Sequence, residues 1–386
     1  MKVSMMSNAV TPSLTRKLFN MALAIGQDVV NLTLGDPDVL PPLEIREAAC
    51  KAIMNGSTRY SANAGLELTR KAYASFFVKE YGIDVDPVKN VMATVGGMEA
   101  LFLSLASMID KGDEVIILAP YYVNYLQMIK MCGGSAIVID RLQKKEDELL
   151  QEISKSCNNN TQAIILNSPC NPVGDILSSS LLDGIAEIAI SNNLVVLSDE
   201  VYNSLIYDGK KPDSIIKREG MFERTIIIDS CSKRFAMTGY RIGFAVGPEE
   251  CIANMTKMQE NVAACAPLPS QYAAIAAYSG TFDYTYINKE YENRRNLVYS
   301  RINAIPVLHP IFPEATFYCF VDVSETGLNS EEFAYKLLEK HHVAVVPGVA
   351  YGEKYNNYVR IAFTLKQELL EEAMNRLESF VDSLKV

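Results

Sequence analysis

Residues 163–202, AIILNSPCNPVGDILSSSLLDGIAEIAISNNLVVLSDEVY, decide the fold class. The apolar run 163–166 ends in a turn rich in Asn, Pro and Gly, a segment with helical period covers 180–192, and a second apolar run, 194–197, ends on Ser198-Asp199-Glu200. A strand, a helix and a second strand make a crossover unit, and strands apolar at every position are buried on both faces. The alternation continues outward. VMATV (91–95), EVIIL (114–118), AIVID (136–140), TIIID (225–229) and GFAV (243–246) read as further buried strands, with helical segments at 98–109 and 121–131. The chain is therefore expected to be α/β, a mostly parallel seven-stranded sheet between helices. Ligands of such sheets bind outside the strand carboxyl ends, so chemistry is sought there.

Beyond the sheet, 283–304 is a long charged helix, followed by an extended stretch at 316–322, a helix at 330–341, strands near 343–346 and 358–363, and a last helix at 367–384. These predict a smaller α+β domain. The first 45 residues hold too little periodic structure to fold alone and are expected to pack against it. The expected division is a large domain over 46–286 and a small domain made of 1–45 and 287–386.

Composition excludes several function classes. With 36 Lys+Arg against 46 Asp+Glu, the net charge of −10 argues against binding a nucleic-acid backbone. No apolar run approaches the roughly 18–20 residues that span a bilayer, which argues against a membrane protein. The start, MKVSMMSNAV, lacks the pattern of a signal peptide, so a cytoplasmic location is expected. The eight cysteines show no CxxC or metal-finger spacing and read as reduced thiols. His309, His341 and His342 are the only histidines, too few and too badly spaced for a histidine metal site, and no metal is expected.

Five segments could carry chemistry. In SCSKRFAMTGYRIG (230–243), Lys233 follows a strand end. A partly desolvated lysine near other cations has a lowered pKa and serves as an amine nucleophile toward a carbonyl. Arg241 and Ser230 are groups suited to a phosphate, although a surface lysine and a structural arginine fit the segment too. Asp199, at the end of the 194–197 strand, either holds a cationic heteroaromatic nitrogen or caps the following helix, and Tyr202 lies within reach of the same ring. The turn NSPCNPVG (167–174) is rigid enough to aim the Asn171 amide, with an X-Pro bond open to the cis form. Gly96-Gly97 stands between a strand and a helix start, where free N–H groups suit a phosphate. Tyr121 or Tyr122 offers a flat face to a ring, or fills the strand–helix junction.

Taken in order, NLTLGDPD (31–38), RYSANAGLELTRKA (59–72), VGGMEALF (95–102), DEVIILAPYYVNY (113–125), NSPCNPVG (167–174), SDEVY (198–202), SKRFAMTGYRIG (232–243) and YVRIAF (358–363) resemble the class I/II aminotransferases, the aspartate-aminotransferase-like branch of the fold-type-I pyridoxal-phosphate enzymes. The resemblance implies pyridoxal 5'-phosphate held as an aldimine on Lys233, which then moves the proton between Cα and C4′. It implies that Asp199 partners the ring nitrogen, that Asn171 and Tyr202 meet the phenolic oxygen, and that Tyr122 stacks on the ring. Gly97 and Met98 backbone amides, with Ser230 and Arg241, would hold the phosphate. Arg360 would clamp the substrate carboxylate, and Gly35 would approach the substrate. Tyr60 would reach the phosphate of a neighbouring subunit, implying a homodimer with shared sites.

The resemblance also implies the reaction, transfer of an amino group from an L-amino acid to a 2-oxo acid. Dicarboxylate-specific members carry an arginine in the stretch that is here Ala264–Pro269, which has no basic residue. A neutral or aromatic amino acid is therefore expected. In Glu314-Ala315-Thr316-Phe317-Tyr318, Ala315 replaces the family's usual glycine and adds a methyl near the site. The same residues would also serve a C–S β-lyase, while a non-enzymatic regulator of this fold carries an added DNA-binding segment for which there is no room before Asn31.

Overall fold

The structure, a computed structural model, describes residues 2–26, 28–280, 282 and 285–384. The first two positions of the helix expected over 283–304, and positions 1, 27, 385 and 386 of the expected small domain, lie outside the described residues.

All seven expected strands form, as Val91–Thr94 (β1), Glu114–Ala119 (β2), Ser135–Asp140 (β3), Thr161–Asn167 (β4), Val195–Asp199 (β5), Thr225–Ser230 (β6) and Gly243–Val246 (β7). They make one sheet in the order β1-β7-β6-β5-β4-β2-β3. β7 runs antiparallel to both neighbours, and the other pairs are parallel. Its reversal has a local cause. Segment 231–242 folds as a helical turn, Cys231–Arg234, and a 3-10 turn, Thr238–Tyr240, which return the chain from the end of β6 without crossing the sheet.

Side chains alternate across the strands, and the core divides accordingly. Val115 and Ile117 pack with Leu101, Leu105, Tyr125 and Met255 on one face, while Ile116 and Leu118 pack with Leu149, Ile153, Leu181 and Ile185 on the other. Both faces of β2 are thus covered by helices, which is why its sequence is apolar without a break. Each such Leu or Ile contributes on the order of 1.5–3 kcal/mol when removed from water.

In the smaller sheet, Tyr318–Asp322 pairs antiparallel with Tyr358–Ala362, so that Phe320 faces Arg360. Val346–Pro347 and His309–Pro310 flank that pair. The N-terminal helix Leu14–Ile25 buries Leu18 and Ala22 in the core of this unit, together with Phe333, Leu337 and Phe380. Val30–Asn31 adds a parallel pair with Val343–Ala344. The first residues go elsewhere: helix Met5–Ala9 packs on helix Asn124–Met131, and the Thr11 amide donates to Gln127 Oε1 at 3.1 Å.

Two helix starts differ from expectation. The helix expected from 121 begins at Asn124, and Tyr121 precedes it with its amide donating to the Tyr351 carbonyl at 3.2 Å. The helix expected from 98 begins at Gly96, whose φ of +77° opens a turn that side-chain-bearing residues enter at a cost.

Candidate active site

β4, β5 and β6 end side by side at Asn167, Asp199 and Ser230, and their carboxyl ends form the floor of a cavity of about 500 Å³. The N-terminus of helix Gly96–Met108, the loop 232–241, the segment 34–36 and Tyr318 and Arg360 of the smaller sheet complete its walls. The cavity brings together Gly35, Gly97, Met98, Tyr122, Asn171, Asp199, Tyr202, Ser230, Lys233, Arg241 and Arg360. Tyr60 is not among them: it is 87% exposed on the outer surface.

Lys233 leaves the helical turn that follows β6, and its Nζ donates to the Gly35 carbonyl at 2.6 Å. Desolvation lowers its pKa to about 8, opposed by Asp36 and assisted by Arg360 and Arg241. Such an amine gives up its proton far more readily than an ordinary lysine.

Asp199 is buried, and its carboxylate accepts from Tyr125 Oη at 2.5 Å. Burial pushes its pKa up to about 6, against the pull of the Tyr125 hydrogen bond. Among the described residues it forms no ion pair, and Lys233 acts on it only as a nearby charge. Behind it, Asn167 Nδ2 donates to the Asp199 carbonyl at 3.1 Å, and the Asn171 amide donates to Asn167 Oδ1 at 2.9 Å. This holds the 167–174 turn, in which Ser168–Pro169 is cis, against the end of β5.

Arg360 is also buried, and among the described residues it pairs with no carboxylate. Its Nη1 donates to Asn171 Oδ1 at 2.9 Å, its Nη2 to the Thr33 carbonyl, and its Nε has no partner. The guanidinium lies over the Tyr318 ring at 4.2 Å. Because Arg360 takes the oxygen of the Asn171 amide, the amide's Nδ2 remains for a ligand. Tyr202 Oη meets Tyr318 Oη at 3.1 Å, and burial holds its pKa well above the ordinary phenol value.

Arg241 sits in the left-handed region at φ +54° and donates to the Thr238 carbonyl at 2.9 Å. A Cβ on Gly96 would lie 2.6 Å from its Nη2, so the glycine is what lets the guanidinium lie on the start of the helix. Guanidinium and helix N-terminus together make an anion seat. Ser230 caps the turn at Ser232, its Oγ 2.8 Å from Ser232 Oγ, and both hydroxyls line the seat. Tyr122 is held on one wall by Asn124 Nδ2 at 2.9 Å and by an edge contact with Tyr125.

Sequence reasoning missed several of these groups. Tyr125 and Asn124 were visible only as part of YYVNY, and Asn167 only as a turn residue. Asp36, Thr238 and the N-terminal Ser13, Thr15 and Arg16 also line the cavity, and nothing in their local pattern marks them. Ala315 is fully buried, outside the lining, so its methyl does not enter the cavity.

The donor set fits pyridoxal phosphate. The Arg241 seat suits a phosphate, the Asp199 carboxylate, with no ion pair among the described residues, suits a pyridinium nitrogen, Lys233 suits an aldehyde, and the Nε of Arg360 has no hydrogen-bond partner among the described residues.

The strand ends of an α/β sheet thus present a desolvated lysine between two cationic, anion-receiving groups. The chain matches the family model for aminotransferases of class I and II over residues 27–377. It is 39% identical to an aspartate aminotransferase of Pyrococcus abyssi, over 98% of this chain and 97% of that one. It is also 39% identical to an aromatic-amino-acid aminotransferase of Thermococcus litoralis, with the same coverage. The solved aromatic aminotransferase of Pyrococcus horikoshii superposes with a TM-score of 0.89 at 38% identity, covering 95% of this chain and 99% of that one. The aspartate aminotransferase of Thermus thermophilus with maleate gives 0.92 at 31% identity, covering 98% and 100%. The chain belongs to the class I and II aminotransferases and is a transferase enzyme.

Proposed function

We propose that the protein is a pyridoxal-phosphate-dependent aminotransferase that moves the amino group of an aromatic or neutral L-amino acid to a 2-oxo acid. One observation carries the reading: Lys233, Asp199 and Arg360 converge on one cavity, and among the described residues neither the acid nor the arginine forms an ion pair.

Lys233 Nζ is the amine that would hold the cofactor aldehyde, and Arg241, Ser230 and the Gly97 and Met98 amides would hold its phosphate. When bound, the cofactor supplies an electron sink for the pair left behind when the α-proton departs. Asp199 keeps that sink cationic by its fixed negative charge. Arg360, pinned by Asn171 and Thr33, fixes the substrate carboxylate and hence the direction of the Cα–H bond. Lys233, once free, would take the α-proton on Nζ and hand it on two bonds from where it was taken. Tyr122, Leu34, Leu101 and Tyr318 give the cavity apolar surface for a substrate side chain.

The experiment is direct. Borohydride reduction of the loaded protein should fix one cofactor per chain on Lys233. Single amino acids without an acceptor should then convert the cofactor once, stoichiometrically, and a 2-oxo acid should reverse it. Continuous release of pyruvate and ammonia from cysteine-like substrates would instead mean β-elimination.

Two variants test substrate binding. Arg360→Lys replaces a planar fork by a point charge and should raise KM for amino and oxo acids by about 30-fold, with kcat falling less. Steady-state kinetics at saturating cosubstrate reads the split, and an unchanged KM would remove Arg360 from its role. Arg16 lines the cavity and has no ion pair among the described residues. It supports a dicarboxylic acceptor such as 2-oxoglutarate, although 264–269 carries no cation. Arg16→Ala should raise KM for 2-oxoglutarate about tenfold while leaving KM for phenylalanine unchanged.

A homodimer with shared sites completes the proposal. Tyr60 stands clear of its own chain's cavity, and Leu40, Met54 and Leu68 are also exposed apolar residues, surface that a second subunit would cover. Sedimentation equilibrium tests it, as does the loss of phosphate affinity expected in Tyr60→Phe.

A further inference from the structure

Residues 32–36 run as a strap between the two sheets. The Leu32 carbonyl accepts from the Ala362 amide at 3.0 Å, the Thr33 carbonyl from Arg360 Nη2, and the Leu34 carbonyl from Thr364 Oγ1 at 3.1 Å. The Gly35 carbonyl then accepts from Lys233 Nζ, and Asp36 Oδ1 accepts from Thr238 Oγ1 at 2.7 Å. The Thr238 carbonyl in turn accepts from Arg241 Nη1 at 2.9 Å. The strap lies hard against the smaller sheet, since a Cβ on Gly35 would stand 1.8 Å from Tyr318 Oη.

Three side chains given to the reaction, Arg360, Lys233 and Arg241, are thus joined in one run of hydrogen bonds. Most of the run uses backbone carbonyls, which any sequence supplies. The Asp36–Thr238 link alone depends on side chains at both ends, and it fastens the strap to the loop of the anion seat.

We propose that Asp36 is a positioning residue: held by Thr238, it fixes the strap so that Thr33 aims Arg360 and Gly35 receives the free amine of Lys233. The inference rests on the roles given above to Lys233 and Arg360. The groups facing Lys233 are the anions Asp36 and Asp199, the cations Arg360 and Arg241, and the rings of Tyr202 and Phe317 at 6.0 and 5.5 Å. Asp36 therefore has two separable contributions, a hydrogen bond that places the strap and a charge beside the lysine.

The test uses the loaded protein and 3-phenylpropionate, a carboxylate with no amino group to react. Its dissociation constant is read from the cofactor absorbance or by calorimetry. Thr238→Val should weaken 3-phenylpropionate about tenfold and raise the amino-acid KM by a similar factor, with cofactor affinity within about twofold of wild type. Thr238→Ser, which keeps the hydroxyl, should restore both. Asp36→Asn keeps an acceptor oxygen, so its carboxylate affinity should stay near wild type while the pH midpoint of the absorbance moves down. Should Thr238→Val fail to fold, Asp36→Ala carries the same expectation. Wild-type affinity for 3-phenylpropionate in Thr238→Val, or a Ser variant no better than Val, overturns the positioning role. Wild-type protein that takes up no pyridoxal phosphate overturns the proposed function and this inference together.

Discussion

Lys233→Ala is expected to lose at least about 10⁴-fold in turnover while the fold persists. The magnitude follows from removing both the proposed covalent anchor and the proposed general base, the second alone being worth about 10²–10⁴. Stability should move the other way. The folded pKa of Lys233 is about 8, below its ordinary 10.5, so between those values the folded state binds fewer protons than the unfolded one and stability rises with pH. Below about pH 8 the penalty of holding that charge is present in full, and the alanine variant is relieved of it. Calorimetry of the cofactor-free proteins at pH 7 should give the variant a Tm equal to or above wild type. Retained turnover would sink the mechanism, and a collapsed Tm would show that Lys233 serves the fold instead.

Asp199→Asn should cost about 10³-fold in turnover, the scale of removing a preorganised charge from a developing transition state. It should also erase a pH effect on cofactor binding. In the cofactor-free protein the Asp199 carboxyl titrates near 6, raised by burial from 3.8. Between those values the folded state binds more protons than the unfolded one, so this group's contribution to stability falls as pH rises and levels off above about 6. A cation placed against it favours the ionised form and lowers that pKa. Cofactor binding below pH 6 therefore releases a proton from Asp199, and affinity weakens by up to about tenfold per unit as pH falls. Titrating both proteins with pyridoxal phosphate from pH 5 to 8 isolates the effect. The phosphate's own ionisation is common to both, and only wild type should show the extra slope. Parallel slopes would remove Asp199 as the ring partner.

The parts of the site legible in sequence were those where chain chemistry and chain position coincide. Asp199 and Ser230 end apolar strands, Lys233 follows one, and Gly96-Gly97 starts a helix at the end of another, so topology alone carries them to one rim. Arg360 and Gly35 were reached through the resemblance, since nothing in YVRIAF or LGDPD predicts that they meet. Tyr125, Asp36 and Thr238 were unreadable for a physical reason. Each acts through a partner distant in sequence, Tyr125 on Asp199 and Thr238 on Asp36, and pairings of that kind leave no period. The reversal of β7 was equally hidden, because GFAV reads the same in either direction of pairing.

The pairing of Val30–Asn31 with Val343–Ala344 has a consequence for biosynthesis. The segment that leads into Gly35 finds its partner strand only after Val343 and Ala344 have been made. Until then the N-terminal helix Leu14–Ile25, whose core neighbours include Phe333 and Phe380, has its apolar face exposed to whatever the cell offers. The large sheet can close once Val246 has emerged, but the rim waits for Arg360, so a nascent chain that stops short of that residue does not hold the whole proposed site.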